Sequence, residues 1–416
     1  MTVHSQPAFF AGIDWGSQSH QVCVLNTDGA PLGEDKFEHS GRGLGQLIDW
    51  ILGRVGGHAD QVRVAIETPH GPVVDSLLDR GFQVHSINPK QLDRFRDRFS
   101  PAGAKDDRRD AHVLADAVRT DPHCLRELSP LDPTVVELRE WSRVADELTA
   151  ERHRLAQRLR EQLWRYYPQF LELGAELSAN WTLALWKLTP TPAAARRVRP
   201  SSVAKLLKKH RIRRFQAESV LTVLRADPVT VAPGVVEAAT AHVRLLAERL
   251  TLLNQQARAA DHKLADLLGI LSASEEPAQG QSREQRDGAI LASLPGVGRT
   301  VLAALLSEAS APLHSRDYQA LRCLCGVAPV THRSGKSRRV VRRRASQPRL
   351  INATYHWSRV AVQRDPVSRA KYRALRARGH THGRALRSVA DRLLAVACAM
   401  LRAGTLFDPQ HATASR

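Results

Sequence analysis

The chain has 416 residues, of which 43% are hydrophobic, and its formal net charge is +19. This length predicts two or three domains at roughly 150 residues each, and the apolar fraction excludes a chain that is disordered throughout. No run approaches the roughly 18 consecutive apolar residues of a membrane span, and the first residues lack the pattern of a secretory signal. The five scattered cysteines predict a reducing compartment, with neither a disulfide framework nor a zinc site.

The positive charge is concentrated towards the end of the chain. Residues 1–130 contain 14 Lys and Arg against 18 Asp and Glu, a net charge of −4. Residues 289–416 contain 23 against 5, a net charge of +18, and the residues between have a net charge of +5. This asymmetry predicts carboxylates gathered for a metal in the first part and binding of a polyanion by the last.

The first 130 residues combine strand and helix patterns. Three short strands come first, and helices then alternate with two further strands. The predicted strands are 8–14, 20–26, 35–38, 61–67 and 82–87, and the predicted helices are 43–55, 71–80, 89–98 and 107–119. This order predicts an α/β domain with a mixed central sheet.

Long helices are predicted from residue 134 onwards. An apolar a/d seam continues for more than four heptads from Ala239 to Leu271, which predicts a coiled coil. A second apolar stripe extends from Leu138 to Leu159 and is interrupted by Arg152. The two stripes could pair with each other or with a second chain, and the sequence leaves both open. Several prolines and a basic patch within 171–233 predict a smaller helical excursion.

The polar segment 272–288 predicts a linker. We therefore expect three parts: an α/β domain over 1–130, a helical coiled-coil region over 131–285 and a C-terminal domain over 286–416. The last part is predicted to be mainly α-helical, with one long basic loop.

Acidic residues occur where predicted strands end and where a helix begins. Asp14 and Glu67 each end a strand, and Asp106, Asp107 and Asp110 open a helix. Carboxylates gathered in this way repel one another unless divalent cations lie among them, and oxygen ligands suit Mg²⁺ or Mn²⁺. Each acid alone also fits a turn or the charge preference of a helix N-terminus. Together they predict a metal site of the kind that supports phosphodiester chemistry.

The C-terminal part contains the motif Leu294-Pro-Gly-Val-Gly298 before an apolar helix. It predicts the turn of a helix-hairpin-helix, in which Gly296 and Gly298 let backbone N–H groups approach a DNA phosphate. An ordinary interhelical turn is the alternative.

The run from Thr331 to Arg349 has eight Lys and Arg and no acid. Ser334 lies within it on a flexible, cation-rich segment, where nearby charge would favour attack of an alkoxide on phosphorus. Local chemistry alone favours the simpler interpretation that Ser334, Ser337 and Ser346 only contact phosphates. The cations predicted to bind nucleic acid are Arg333, Lys336, Arg338, Arg339, Arg342, Arg343 and Arg344.

Taken in order, these motifs resemble the IS-one-ten (IS110, DEDD) transposases of bacterial insertion sequences, a family also described as bridge-RNA-guided recombinases. The first part is similar to a RuvC-type, ribonuclease-H-like domain, with Gly12-Ile13-Asp14, Glu67-Thr68 and Asp107–Ala111 as its acidic motifs. The last part is similar in Leu294–Gly298 and in the run from Gly326 to Gly335. The resemblance covers nearly the whole chain.

The resemblance implies a role for individual residues. It aligns Ser334 with a serine nucleophile, so that DNA strands are cleaved and rejoined through a covalent phosphoserine. The family usually has threonine where Asp106 stands, which leaves Asp106 as an additional or substitute ligand. Mg²⁺ would assist from the other domain and complete a composite site. The acids implied to hold it are Asp14, Glu67, Asp107 and Asp110.

The implied partners are donor and target DNA, together with a structured guide (bridge) RNA from the same element. The residues themselves indicate only a large surface for polyanions. We expect a homo-oligomer, a dimer or a tetramer, that is cytoplasmic and associated with the nucleoid, with no membrane partner.

Three other hypotheses remain. The nearest is a metal-dependent endonuclease of the Holliday-junction type, in which water attacks and Ser334 only contacts phosphate. A non-catalytic nucleic-acid-binding protein is the second, although the presence of all four acids and Ser334 argues against it. A coiled-coil structural protein would leave the acids and the basic run unexplained.

Overall fold

The computed structural model describes residues 7–99, 106–130, 132–272 and 283–409. The chain divides into two compact units, Met1–Leu131 and Asp132–Arg416. Most of the predicted linker 272–288 lies outside the described residues, and the division at 285 stays a prediction. In the described ranges, no helix is both long and apolar enough to cross a membrane.

The first unit is built on a six-stranded mixed sheet. The strands lie in the order β3-β2-β1-β4-β5-β6. Strands β1, β4 and β5 are parallel neighbours, and the other pairs are antiparallel. This confirms the predicted mixed α/β domain; only the two-residue β6 was missed. The strands are β1 (Phe9–Asp14), β2 (Ser19–Leu25), β3 (Pro31–Glu38), β4 (Val62–Ile66), β5 (Gln83–Ser86) and β6 (Arg126–Glu127).

Four helices cover the two faces of this sheet. They are α1 (Gly41–Arg54), α2 (Pro72–Asp79), α3 (Pro89–Arg96) and α4 (Asp107–Thr120), with short 3₁₀ turns at Ala59–Gln61 and Pro122–Cys124. Ala11 and Ile13 of β1 pack with α1 and α2, whereas Phe10 packs with α3 and α4. Because side chains alternate along a strand, Asp14 belongs to the face that α3 and α4 cover.

The second unit is mainly helical. Its described helices are α5 (Pro133–Tyr166), α6 (Gln169–Glu172), α7 (Asn180–Leu188), α8 (Pro192–Arg197), α9 (Pro200–Lys209), α10 (Ala217–Leu224), α11 (Val235–Ser272), α12 (Arg283–Ala292), α13 (Arg299–Glu308), α14 (Ser310–His314), α15 (Tyr318–Leu324), α16 (Pro348–Arg364), α17 (Pro366–Ala377) and α18 (His382–Ala403). One buried cluster joins the C-terminal half of α5 and the N-terminal half of α11 to the small helices between them. A second joins the opposite ends of α5 and α11 to α12–α18 around Trp357.

The two apolar stripes predicted in this region face each other within one chain. Lys263 Nζ lies 2.8 Å from Glu137 Oε1, and Arg249 Nη2 lies 3.2 Å from Glu151 Oε1. Both cations are on α11 and both acids on α5, and the pairs advance in opposite directions, so the helices are antiparallel. The seam that suggested self-association is therefore covered inside the chain and supports no particular oligomer.

The prediction of a long basic loop near residue 340 is wrong in part, because the first half of that segment forms a β-hairpin. Strands β7 (Pro329–Ser334) and β8 (Ser337–Arg342) are antiparallel and joined by the turn Gly335-Lys336. Gly335 has φ of 53°, which a glycine adopts without steric cost. The β-branched Thr331, Val340 and Val341 favour extended backbone on either side of such a two-residue turn.

Candidate functional site

The acidic residues of the first unit are positioned by a close contact between a helix and a strand. A Cβ on Gly12 of β1 would lie 2.0 Å from the carbonyl oxygen of Ala111 and 2.4 Å from the amide nitrogen of Ala115. Only glycine therefore lets α4 lie directly on β1. This contact places Asp110, next to Ala111, over the strand end that carries Asp14.

Asp14 and Glu67 leave the sheet at the same edge. Ile13 of β1 is paired with Ile66 of β4 in parallel register, so the next residue on each strand emerges side by side. Both side chains are half-buried. The structure thus places the elements that carry Asp14, Glu67 and Asp110 next to one another.

Asp110 already has a cationic partner. It is 1% exposed, and its carboxylate accepts hydrogen bonds from Arg96 Nε at 2.5 Å and Nη2 at 2.8 Å. Arg96 also pairs with Asp93. Hydrogen bonding to Asp110 is the main cause that raises the pKa of Arg96 above its ordinary value, and the charge of Glu67 contributes. The Arg96 guanidinium therefore supplies the positive charge among these acids, where the sequence predicts a metal ion.

The other two acids of the helix differ in their surroundings. Asp107 is the first residue of α4 and is exposed. Asp106 is the N-cap, and its side chain accepts a hydrogen bond from the backbone N–H of Arg108 at 3.2 Å, so capping is its role in this structure. The roles of both residues towards a metal stay predictions.

The donor set fits a hard divalent cation, because the carboxylates supply oxygen ligands only. In the described part of the chain, however, the one group of three candidate ligands with atoms within 4.8 Å of one another is Asp121, His123 and Cys124. The acids of the predicted site do not converge to that degree, and Arg96 occupies one of them.

The sequence predicted no zinc site that involves a cysteine. The structure nevertheless places Cys124 beside Asp121 and His123 as a candidate set of metal ligands. His123 and Cys124 are exposed, and the Asp121 carboxylate accepts hydrogen bonds from Thr120 and Arg98. The signal in the sequence was the short Asp-Pro-His-Cys segment. All five cysteines are free thiols.

Ser334 lies at the exposed tip of the β7–β8 hairpin. It is paired with Ser337 across the Gly335-Lys336 turn. The next pairs place Arg333 opposite Arg338 and His332 opposite Arg339. Like charges directly opposite each other destabilise a hairpin, and nearly every side chain of the two strands is exposed. The hairpin therefore presents an exposed band of positive charge, and its contact with a polyanion stays a prediction.

The basic residues after the hairpin divide into two groups. Arg349 is a structural residue, since its Nη1 lies 2.5 Å from Glu308 Oε1 and its Nε 2.7 Å from Asp146 Oδ2. Burial raises the pKa of Glu308, but the hydrogen bonds and charges of Arg143 and Arg349 lower it by more, so this pKa lies below its ordinary value. The remaining cations form no ion pair with a described carboxylate. They are Arg333, Lys336, Arg338, Arg339, Arg342, Arg343 and Arg344.

The motif around Gly296 is a tight turn between α12 and α13. Gly296 has φ of 85°, and a Cβ there would lie 2.8 Å from the amide nitrogen of Ala361 in α16. Trp357 Nε1 donates to Pro295 O at 3.0 Å. Gly296 is thus required for packing on α16, whereas Gly298 caps α13 on the exposed side. A phosphate contact at either glycine stays a prediction.

Known proteins match both units. A family model described as a transposase matches residues 11–168, and one described as a transposase of the IS116/IS110/IS902 family matches residues 288–373. The mini-circle protein of IS117 from Streptomyces coelicolor, assigned as a transposase, is 32% identical over 415 residues, covering 97% of this chain and 96% of that protein. The chain belongs to the IS110 transposase family.

Other relatives of this IS110-family transposase agree. The protein y4uE of Sinorhizobium fredii, assigned as a transposase, is 57% identical over 209 residues, which are 50% of this chain and 58% of that protein. The 43.6 kDa protein of insertion element IS110 from Streptomyces coelicolor is 28% identical over 406 residues, covering 96% and 95%. As a transposase, the protein is an enzyme that cleaves and transfers DNA strands, and its DEDD membership suggests dependence on a divalent metal.

Proposed function

We propose that this IS110-family transposase breaks and rejoins DNA strands through a transient covalent bond to Ser334. The Ser334 hydroxyl oxygen attacks a backbone phosphorus, its proton passes to a base, and the bond from phosphorus to one sugar oxygen breaks. That sugar oxygen takes up a proton. In the second step a sugar hydroxyl of another strand gives its proton to a base and attacks the phosphoserine phosphorus, the bond from phosphorus to the serine oxygen breaks, and that oxygen takes up a proton. The exposed position of Ser334 on a cation-rich hairpin is the observation that supports this proposal.

The register of the hairpin also says which groups share a face with Ser334. In antiparallel pairing, the pairs Ser334–Ser337 and His332–Arg339 lie on one face because side chains alternate. His332 offers a ring nitrogen that can accept the serine proton. Arg339 offers a positive charge to an alkoxide and to the oxygens of the phosphorane.

The carboxylates of the first unit have a separate part in the proposal. Asp14, Glu67 and Asp110, with Asp107 one turn away on α4, would hold Mg²⁺ or Mn²⁺. When bound, such an ion polarises a phosphoryl oxygen and stabilises a developing oxyanion. Arg96 must then give up its place on Asp110 or share it.

DNA, a guide RNA and further copies of this chain are the partners that we propose. The net charge of +18 over residues 289–416 suits donor and target DNA, and resemblance to bridge-RNA-guided recombinases favours a guide RNA as a further polyanion. Exchange between two duplexes breaks more than one strand, and each chain carries a single Ser334. We therefore expect a dimer or a tetramer to carry out the reaction.

A strand-transfer assay tests the function. The full chain is incubated with labelled donor and target duplexes, the RNA transcribed from its own element and Mg²⁺, and joined product is measured. Ser334→Ala and EDTA should each abolish joining, while Ser337→Ala, the cross-strand neighbour, should retain it. Joining by Ser334→Ala at the wild-type rate would reject the proposal. Cleavage without joining would support the endonuclease of the Holliday-junction type instead.

A further inference from the structure

A basic cavity lies between the base of the β7–β8 hairpin and helix α18. Its volume is about 410 Å³. Six of its lining residues are cationic or can become so: Arg322, Arg342, Arg343, His380, Arg384 and Arg387. The cavity lies entirely within the second unit and at the opposite end of the hairpin from Ser334.

The charge of this cavity is not balanced by acid. The lining contains one carboxylate, Asp391, and it is engaged by Arg322 at 2.6 and 2.9 Å and by the Tyr318 hydroxyl at 2.8 Å. Within the described residues, no ion pair or side-chain hydrogen bond is formed by Arg342, Arg384 or Arg387. Burial, followed by the charges of Arg342 and Arg384, lowers the pKa of Arg387, so the folded protein holds cations against their mutual repulsion.

Two buried nitrogens of residues in the lining also lack a hydrogen-bond partner among the described residues. Arg343 Nε and His380 Nδ1 are inaccessible to solvent and have no hydrogen-bond partner among the described residues. Such atoms are costly unless a ligand satisfies them, and they are rare in folded proteins. An anion with several oxygens would neutralise the accessible arginines of the cavity, and it would reach these two nitrogens only if Arg343 and His380 changed rotamer.

The position relative to Ser334 identifies which phosphate fits. Pro329 lies at the cavity and Ser334 at the tip of the same strand, five residues further on. At roughly 3.4 Å per residue the two ends are about 17 Å apart. For a hairpin that lies along the duplex axis, with about 3.4 Å of axis per phosphate of one strand, this distance corresponds to about five steps.

We propose that this cavity binds a backbone phosphate of the DNA substrate, about five nucleotides from the phosphate that Ser334 attacks. Arg342, Arg384 and Arg387 contact its oxygens. The contact fixes the register of the DNA on the hairpin without reading its sequence. This inference rests on the proposed function for the identity of the ligand and for the reaction at Ser334.

The test compares Arg387→Gln with Arg402→Gln in the full chain carrying Ser334→Ala. Both arginines are on α18, fifteen residues and therefore roughly 22 Å apart, and Arg402 is outside the cavity lining. Binding of a fluorescent 40-base-pair DNA duplex is measured by anisotropy over a range of salt concentrations. For Arg387→Gln we expect weaker binding and a salt dependence whose slope is smaller by about 1. For Arg402→Gln we expect the slope of the parent protein.

Thermal unfolding without DNA separates ligand binding from a structural role. Since Arg387 is held against other cations, Arg387→Gln should unfold at the same temperature as the parent or higher. An unchanged slope, an equal loss in both variants, or a loss seen only with an RNA duplex of the same length would each overturn the inference. Because Ser334→Ala cannot form the adduct, these results do not depend on whether the covalent mechanism holds.

Discussion

Arg96 and Asp110 form a bidentate ion pair in which Arg96 Nε and Nη2 lie 2.5 and 2.8 Å from the two carboxylate oxygens. The carboxylate is buried, whereas 21% of the Arg96 side chain is exposed. Asp110 is one of the acids that we propose as ligands of a divalent cation. A metal that takes Asp110 as a ligand must therefore compete with a guanidinium of the same chain.

Arg96→Gln should tighten Mn²⁺ binding and weaken the metal-free fold. Without the guanidinium, the buried Asp110 loses its counter-charge, and the free energy of unfolding should fall by about 1–3 kcal/mol. Affinity for Mn²⁺, measured by calorimetric titration, should rise on the order of tenfold, which corresponds to about 1.4 kcal/mol. Arg249→Gln is the control, because its pair with Glu151 is partly exposed, such pairs contribute little, and neither residue belongs to a candidate metal site. Equal Mn²⁺ affinity in Arg96→Gln and the wild type would contradict the competition.

Gly12→Ala should disrupt the first unit although it adds only one methyl group. The new Cβ has no room against the backbone of Ala111 and Ala115, so α4 must move off β1 and carry Asp110 away from Asp14. Overpacking of this kind costs about 1–3 kcal/mol or more. Denaturant unfolding gives the loss of stability. Gly45→Ala is a matched control, since a Cβ at Gly45 meets nothing within 4 Å; equal stability of the two variants would contradict the contact.

Acidification should destabilise the first unit through two buried histidines. Burial is the main cause that lowers the pKa of both His20 and His85 below the ordinary value of about 6.5. Below that pH the unfolded chain binds protons that the folded chain does not, so stability is present above about pH 6.5 and is lost as the pH falls. Denaturant unfolding at pH 7.5 and 5.5 measures the loss. His85→Gln should lose less than the wild type, and an identical loss would show that His85 does not contribute.

Thiol reactivity should follow burial. Cys23, Cys325 and Cys398 are buried, and burial raises the pKa of Cys23 to about 11 and of Cys325 to about 12. A colorimetric thiol reagent at pH 8 should modify the exposed Cys124 rapidly and the half-buried Cys323 more slowly. The other three thiols should react only in denaturant. Rapid reaction of all five in the native protein would contradict the packing of both units.

Much of the first unit could be predicted because its patterns are local. Short, largely apolar runs bounded by turn signals identify β1, β2, β4 and β5, and strand order then places Asp14 and Glu67 at one edge. The Arg96–Asp110 pair had no such signal, since the residues lie on different helices fourteen positions apart. Their contact depends on how α3 and α4 pack on the sheet, which spacing along the chain does not encode.

In the second unit, the sequence predicted the helices but not their packing partners. The apolar stripes of α5 and α11 were visible, but identical stripes can pair within a chain or between chains, so the partner was open until Glu137 and Glu151 were seen beside Lys263 and Arg249. The hairpin around Ser334 was predicted as a loop because its strands are polar on both faces. The two-residue turn Gly335-Lys336 between β-branched residues was the available signal.

Trapping of a covalent protein–DNA adduct tests whether Ser334 is the nucleophile. The wild-type chain, incubated with labelled donor DNA, its own element's RNA and Mg²⁺, is denatured, digested with protease and nuclease, and examined by mass spectrometry. We expect a nucleotide attached through phosphate to the peptide that contains Ser334, present in Ser337→Ala and absent in Ser334→Ala. An adduct that persists in Ser334→Ala, or cleaved DNA with no adduct in the wild type, would contradict it.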